Sequence, residues 1–335
     1  MPRATTKLDR LLERLRTAGF DKRHVRAAFP SWWSPEAAHE PGALLELKMA
    51  LSRRLGVELR SLLDDDADLR VTVPKGTKYK LRIGTDIGLL EPATASLSAI
   101  AQVVSVATNH LPLVPNLQDP ASARRDILQS GAHWLSFKAL IIWCWRNGIP
   151  VIPALDLPGR QKMDAAVIFP SDRPVVLLTK NQPVSAWQLF ILSHELGHLG
   201  RGHVKPDGTL IDHDLGQDWG ASNVRDQEEL AADEWARVLL AGENPIQFEF
   251  SGHWSPNGLA RAAQEQARAL QTDAGHLILR IAFETKNWAL ANAALKVLEP
   301  QPKAIEFAQE VAREFLNFDA LADDSREFLE NTVGL

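Results

Sequence analysis

The stretch Ser193-His194-Glu195-Leu196-Gly197-His198 sets two histidines four residues apart, with a glutamate beside the first. In a helix, residues i and i+4 share a face, so His194 and His198 can reach one metal ion. Zinc takes neutral imidazoles and a low coordination number that leaves a position for water and substrate. Water on such an ion loses a proton near neutral pH, and Glu195 stands where a general base would accept it. Upstream, Leu189, Phe190 and Leu192 give the helix a face to bury, and the pattern predicts a helix over 183–198. Two short apolar runs precede it, 165–169 and 175–179. They are joined by Pro170-Ser171-Asp172-Arg173-Pro174, which is turn chemistry.

Two histidines need a further protein donor. The frame H-E-x-x-H-x-x-G-x-x-H is absent: Arg201 and Val204 stand where glycine and histidine belong, and His203 is one place short. The other arrangement draws a glutamate from a later helix, predicted here over 223–241 with Gly242 as its stop. In Glu228-Glu229-Leu230-Ala231-Ala232-Asp233-Glu234-Trp235-Ala236, Glu229 can close a His₂Glu set. Asp233, four residues on, can accept the second ring N–H of a ligating histidine and fix its tautomer. Glu228 and Glu234 are alternatives to Glu229, but neither has an aspartate four residues on. Such a set suits Zn²⁺, and Mn²⁺ or Fe²⁺ as well.

The two motifs resemble those of the ImmA/IrrE metallopeptidases, H-E-x-G-H on one helix and E-x-x-A-[ND]-x-[FW]-A on the next. This chain has His194-Glu195-Leu196-Gly197-His198 and Glu229-Leu230-Ala231-Ala232-Asp233-Glu234-Trp235-Ala236. The segment Arg173-Pro174-Val175-Val176-Leu177-Leu178 is similar to that family's strand before the metal helix, and the resemblance covers roughly 135–245. It implies a zincin-like, gluzincin-type minimal peptidase fold with His194, His198 and Glu229 as zinc ligands and Glu195 as base. It implies a zinc-dependent endopeptidase whose substrate is a specific protein partner, a DNA-binding repressor or antitoxin-like regulator. Transcriptional regulation and stress response are the settings it implies.

A transition-state donor is sought among His203, His213 and Arg225, because the only tyrosine, Tyr79, is distant in sequence. An extended peptide pairs with an exposed strand edge in such enzymes. The run Val175, Val176, Leu177, Leu178 and Thr179 is the candidate edge. Trp187 and Trp235 are expected to pack the two motif helices together.

The rest of the chain frames this centre. Its 335 residues are 45% hydrophobic and 24% charged, an ordinary globular composition that suits two or three domains. Net charge is -5, so no whole-chain basic field for nucleic acid exists. The single cysteine, Cys144, reads as a buried thiol, and nothing points to disulfides or secretion. No apolar leader opens the chain, and the uncharged stretch 92–118 is too polar to span a membrane, so it reads as a packed surface helix. A cytoplasmic location is the expectation, with no membrane partner.

Residues 1–60 are basic, with 12 Lys or Arg against 7 Asp or Glu. The run Leu51-Ser52-Arg53-Arg54-Leu55-Gly56-Val57 and then Ser61-Leu62-Leu63 resembles the last helices of a helix-turn-helix repressor domain. That implies weak DNA contact, or a helical docking domain that kept the scaffold. A DNA-binding or sensory regulator with a structural metal, and a proteolytic toxin of a two-gene module, are the rival functions. Asp64-Asp65-Asp66-Ala67-Asp68 reads as an acidic linker, and residues 75–82 as a basic loop or hairpin. Helices are expected over 97–106, 121–145, 259–270, 273–298 and from Pro302 onward. The expected architecture is α+β, in four parts: a helix-turn-helix-like domain (1–68), a linker with a helical segment (69–134), the zincin-like domain (135–245) and a helical C-terminal domain (246–335).

Overall fold

A computed structural model describes residues 6–80, 85–112, 116–159, 163–212, 227–242 and 254–335. Within them the chain is a mixed α+β protein. The N-terminal part holds α1 (Lys7–Thr17), α2 (Lys22–Ala27), α3 (Pro41–Leu55) and α4 (Leu59–Leu63). Thr6 and Asp9 form a reciprocal cap on α1. Gly56 ends α3 at φ 65°, a left-handed conformation glycine adopts without strain. The central part follows with β1 (Lys78–Lys80), α5 (Glu91–Ala107), α6 (Pro120–Gln129), α7 (Phe137–Arg146), β2 (Val151–Pro153), β3 (Ala165–Ile168), β4 (Val175–Leu178), α8 (Ser185–Gly200), β5 (Thr209–Asp212) and α9 (Gln227–Ala241). The chain closes with α10 (Pro256–Leu270), α11 (Ala274–Thr285), α12 (Trp288–Leu298), α13 (Ala304–Phe315) and α14 (Asp323–Val333). No described helix is long and apolar enough to cross a membrane.

The strands form one sheet in the order β1-β5-β3-β4-β2. β3 pairs antiparallel with both β4 and β5, while β1–β5 and β2–β4 are parallel. This corrects the expectation that Val175, Val176, Leu177, Leu178 and Thr179 form an open edge. β2 lies along the far side of β4, with Val151 opposite Val176. Every residue from Val175 to Thr179 is buried. An unbroken apolar run is the pattern of a strand covered on both faces, and α5 and α8 both pack on β4. The described edges are β1 and β2. β1 is also no hairpin: it joins the sheet beside β5.

Three apolar cores divide the chain differently from the expected segments. One is N-terminal, built on Leu11, Leu15, Phe20, Leu47, Leu51 and Leu62. A second joins α10, α11 and α12 around Leu259, Leu277, Ile278 and Leu295. The large central core takes in the sheet, α5, α7 and α8, and also Ala308, Ala312, Phe328 and Leu329 of α13 and α14. The last two helices therefore belong with the central sheet, not with a separate C-terminal unit. α5, expected on the surface, is buried along most of its length. The predicted helix over 121–145 is two helices, because Gly131 takes φ 100° between them and Leu135 N–H donates to Gln271 O. Cys144 is fully buried, and burial pushes its thiol well above the usual range.

Ion pairs dock the N-terminal helices onto the rest. Arg54, 2% exposed, bonds the Asp324 side chain and its carbonyl, and its guanidinium lies over Phe328. Arg23 pairs with Asp156, and His24 Nε2 sits 3.0 Å from the same carboxylate. Lys48 is 2.7 Å from Asp65, and Arg14 donates to Ser61, Asp64 and Ala67 carbonyls. Arg54→Met keeps the packed stem and loses charged hydrogen bonds worth about 1.5–3 kcal/mol. Its melting temperature falls, and limited proteolysis cuts it faster between residues 64 and 77. Unchanged melting and cleavage would mean that Arg54 does not hold the docked domain.

Candidate metal centre

The centre is built where α8 crosses α9, the most extensive helix contact in the described residues. Gly197 faces Ala232 at the crossing. A Cβ on Gly197 would lie 2.5 Å from Ala232 O and 2.9 Å from its Cα, so only glycine permits this approach. His194 and His198 stand three residues before and one after Gly197. Glu229 and Asp233 stand three before and one after Ala232. One close crossing therefore brings all four together. Trp235 reinforces it: its Nε1 donates to Leu117 O at 2.8 Å, and a Cβ on Gly200 would strike its ring. Trp187 does not. It stacks on Trp288 at 5.9 Å and meets Phe283, so it ties α8 to the C-terminal helices instead.

His194 Nε2 and His198 Nε2 point at each other, 2.9 Å apart. Glu229 places Oε2 3.3 Å from the first and Oε1 3.4 Å from the second. Donors around a tetrahedral zinc, at about 2.0–2.2 Å each, stand about 3.3–3.5 Å from one another. His194, His198 and Glu229 thus form a group able to hold a metal ion. The outer ring nitrogens are engaged. His194 Nδ1 lies 2.9 Å from Asp233 Oδ1, and His198 Nδ1 lies 2.9 Å from His203 Nδ1. Both ligand rings are oriented with Nε2 inward. His203, expected as a transition-state donor, is brought to the centre with its Nδ1 against His198. His213 and Arg225 lie outside the described residues.

The alternatives to Glu229 are occupied elsewhere. Glu228 binds Lys78 at 2.7 Å and Lys80 at 2.8 Å. Glu234 pairs with Arg237 at 2.6 Å. Tyr79 also comes near in space, because β1 adjoins β5. However, its hydroxyl is bonded to Thr94 on α5, while Lys78 and Lys80 on either side of it reach Glu228.

Sequence reading missed Asp212. It ends β5 and is 1% exposed, with Oδ2 3.7 Å from His194 Nε2 and 3.6 Å from His198 Nε2. Its signal in the sequence was Thr209-Leu210-Ile211-Asp212 after Gly208, a strand too short to stand out.

The electrostatics are those of a centre waiting for a cation. Burial pushes Glu195 up to about 8, and the charges of Glu229 and Asp164 add to it, against a hydrogen bond with Asp212. Burial, then the charges of Glu195 and Glu229, raises Asp212 well above the carboxylate range. Burial disfavours a charged His194, but the bonds to Asp233 and Glu229 outweigh it and raise the ring to about 10. Burial and the neighbouring His194 charge hold His198 far below its usual value. Among the described residues, the oxygens of Glu195 and of Asp212 are buried with no partner beyond each other, and Oε1 of Glu229 is buried with none. Such orphaned carboxylates facing paired imidazoles fit a divalent ion, which would displace the His194 proton as it binds.

Comparison with known proteins finds no matching family model, no matching curated protein and no matching solved structure. The reading therefore rests on this geometry and on the two motifs.

The Gly197 contact is directly testable. At an exposed helix site Gly→Ala gains about 1 kcal/mol. Here the added methyl meets backbone, and overpacking costs about 1–3 kcal/mol. Gly197→Ala therefore melts earlier and binds zinc more weakly, since α9 must move away with Glu229. Higher stability in thermal unfolding, with zinc affinity intact, would show that the helices do not need this approach.

Proposed function

We propose that the protein is a zinc-dependent endopeptidase that hydrolyses a peptide bond in a specific protein partner. The observation that carries this is Glu195, a fully buried carboxyl that no side-chain cation or N–H of the described residues pairs with, beside a His194–His198–Glu229 group that can hold an ion. A divalent ion there supplies Lewis-acid polarisation of a carbonyl and makes water acidic near neutral pH. Glu195 takes a proton and later returns it to the leaving amine. Asp233 and His203 keep His194 and His198 aimed inward. The antiparallel pair β3–β4 and the helix α8 agree with the zincin-like peptidase domain that the motifs imply.

The resemblance to the ImmA/IrrE metallopeptidases supports a DNA-binding regulator as the protein cleaved. The N-terminal helices fit a docking domain better than a DNA reader. α2 has six residues and packs toward α14, and its Arg23 and His24 are committed to Asp156. A reader of the major groove would have to present this helix outward.

The purified protein is expected to carry about one zinc per chain. Glu229→Gln loses most of it, whereas Glu228→Gln keeps it. Glu195→Gln keeps zinc and loses cleavage by at least about a hundredfold. A Glu195→Gln protein that cuts its partner at the wild-type rate would remove the base. A zinc titration that ranks Glu228 above Glu229 would move the site.

A further inference from the structure

Asp212 is the one buried carboxylate at the centre that the peptidase reading does not use. Its Oδ2 faces the same two nitrogens as Glu229, at 3.7 and 3.6 Å, within a few tenths of an ångström of the spacing of ligands on one zinc ion. Among the described residues, no partner other than the Glu195 carboxyl reaches either oxygen. Its carboxyl is also close enough to that of Glu195 to share a hydrogen bond with it. It thus adjoins both the nitrogen pair and the general base. Its backbone is fixed from both sides. Asp212 is in register with Ala165 of β3 and with Lys80 of β1.

We propose that Asp212 is a fourth, displaceable metal ligand that closes the centre in this conformation, so that cleavage requires its carboxylate to withdraw. This rests on the metal reading above and adds a regulatory state to it. Structural zinc sites are closed by four protein ligands and catalytic ones keep a position free. Three donors and a removable fourth give one chain both forms. The closed form protects the partner until Asp212 is drawn aside. The open form exposes Glu195 to the substrate.

The test uses the full chain, zinc, and acetohydroxamate, a small bidentate chelator that needs free positions on a bound ion. Wild-type protein is expected to bind zinc and to take acetohydroxamate poorly. Asp212→Ala binds zinc at least about tenfold more weakly and acetohydroxamate at least about tenfold more tightly. Asp212→Asn keeps the shape of the side chain and guards against misfolding. In the metal-free protein it raises the melting temperature by relieving a buried unpaired carboxylate, and the further rise on adding zinc shrinks. A residue with only a packing role would lower melting in both states. Equal zinc and acetohydroxamate affinities in wild type and Asp212→Ala would place Asp212 outside the coordination sphere and overturn the proposal. If the wild-type chain binds no zinc while folded, the metal centre itself falls, and this inference falls with it.

Discussion

The approach of Gly197 to the Ala232 backbone is the constraint on which the centre depends. A helix offers ligands only along its own face, so two donors on α8 cannot be completed from α8 alone. The remaining donors must come from a second helix at a distance that ordinary side chains would not permit. Glycine on one helix and alanine on the other let the two backbones nearly touch. The i−3 and i+1 positions on each side then converge. A histidine, a second histidine, a glutamate and an aspartate meet in one place because of where the smallest residues lie. Arg124 supports this from outside, donating to the carbonyls of Leu239 and Leu240 at the end of α9 and to Leu270 and Gln271 at the end of α10. That clamp holds α9 by its exposed carbonyl end, where a cation is also favoured by the helix dipole.

Stability alone would not produce such a centre. Glu195 and Asp212 are each buried with no N–H donor among the described residues, a condition that costs stability and is relieved by a proton or a cation. The metal-free chain answers with protons: both carboxyls are shifted upward, and His194 keeps its charge between Asp233 and Glu229. A bound ion inverts this logic, since it favours ionised carboxylates and neutral imidazoles. Carboxylates that cost the fold stability on their own would be stabilised by a cation held at the His194–His198–Glu229 group. Local rules of good packing fail at this one place, which is where function is expected to override them.

The sequence made helices legible where a local breaker marked them. Gly242 follows α9 where its stop was expected, whereas the Ser136 cap that starts α7 was passed over in a helix read across 121–145. The i,i+4 spacing of the histidines and the paired spacing of Glu229 and Asp233 were legible for the same reason: both are local. What escaped depended on distant partners. Val175 to Leu178 could be read as a strand, but its neighbour β2 is three residues long and carries a proline, so the sheet order was hidden. α13 and α14 have ordinary amphipathic patterns, which say that a face is buried but not against what. Asp212 was missed because nothing local distinguishes an aspartate that ends a short strand beside two histidines. Gly131 broke a helix whose apolar rhythm continued across it.

The route from the N-terminal domain to the centre is short. The chain leaves that domain after Val71, which packs on its core, and Thr72 N–H donates to Gly56 O at 2.7 Å. Six residues later it becomes β1, pairs with β5 through Lys80 opposite Asp212, and sends Lys78 and Lys80 to Glu228, the neighbour of Glu229. The domain is thus tied to both carboxylate-bearing elements, β5 and α9, by a single three-residue strand. A strand that short is held by few backbone hydrogen bonds, so its pairing is among the weaker contacts in the sheet. Ion pairs through Arg54 and Asp156 dock the N-terminal helices on one side of it, and those to Glu228 anchor the strand itself. This helical domain is thus coupled to the rest of the chain through Arg23, His24 and Arg54. It is the element whose position reaches the metal ligands most directly.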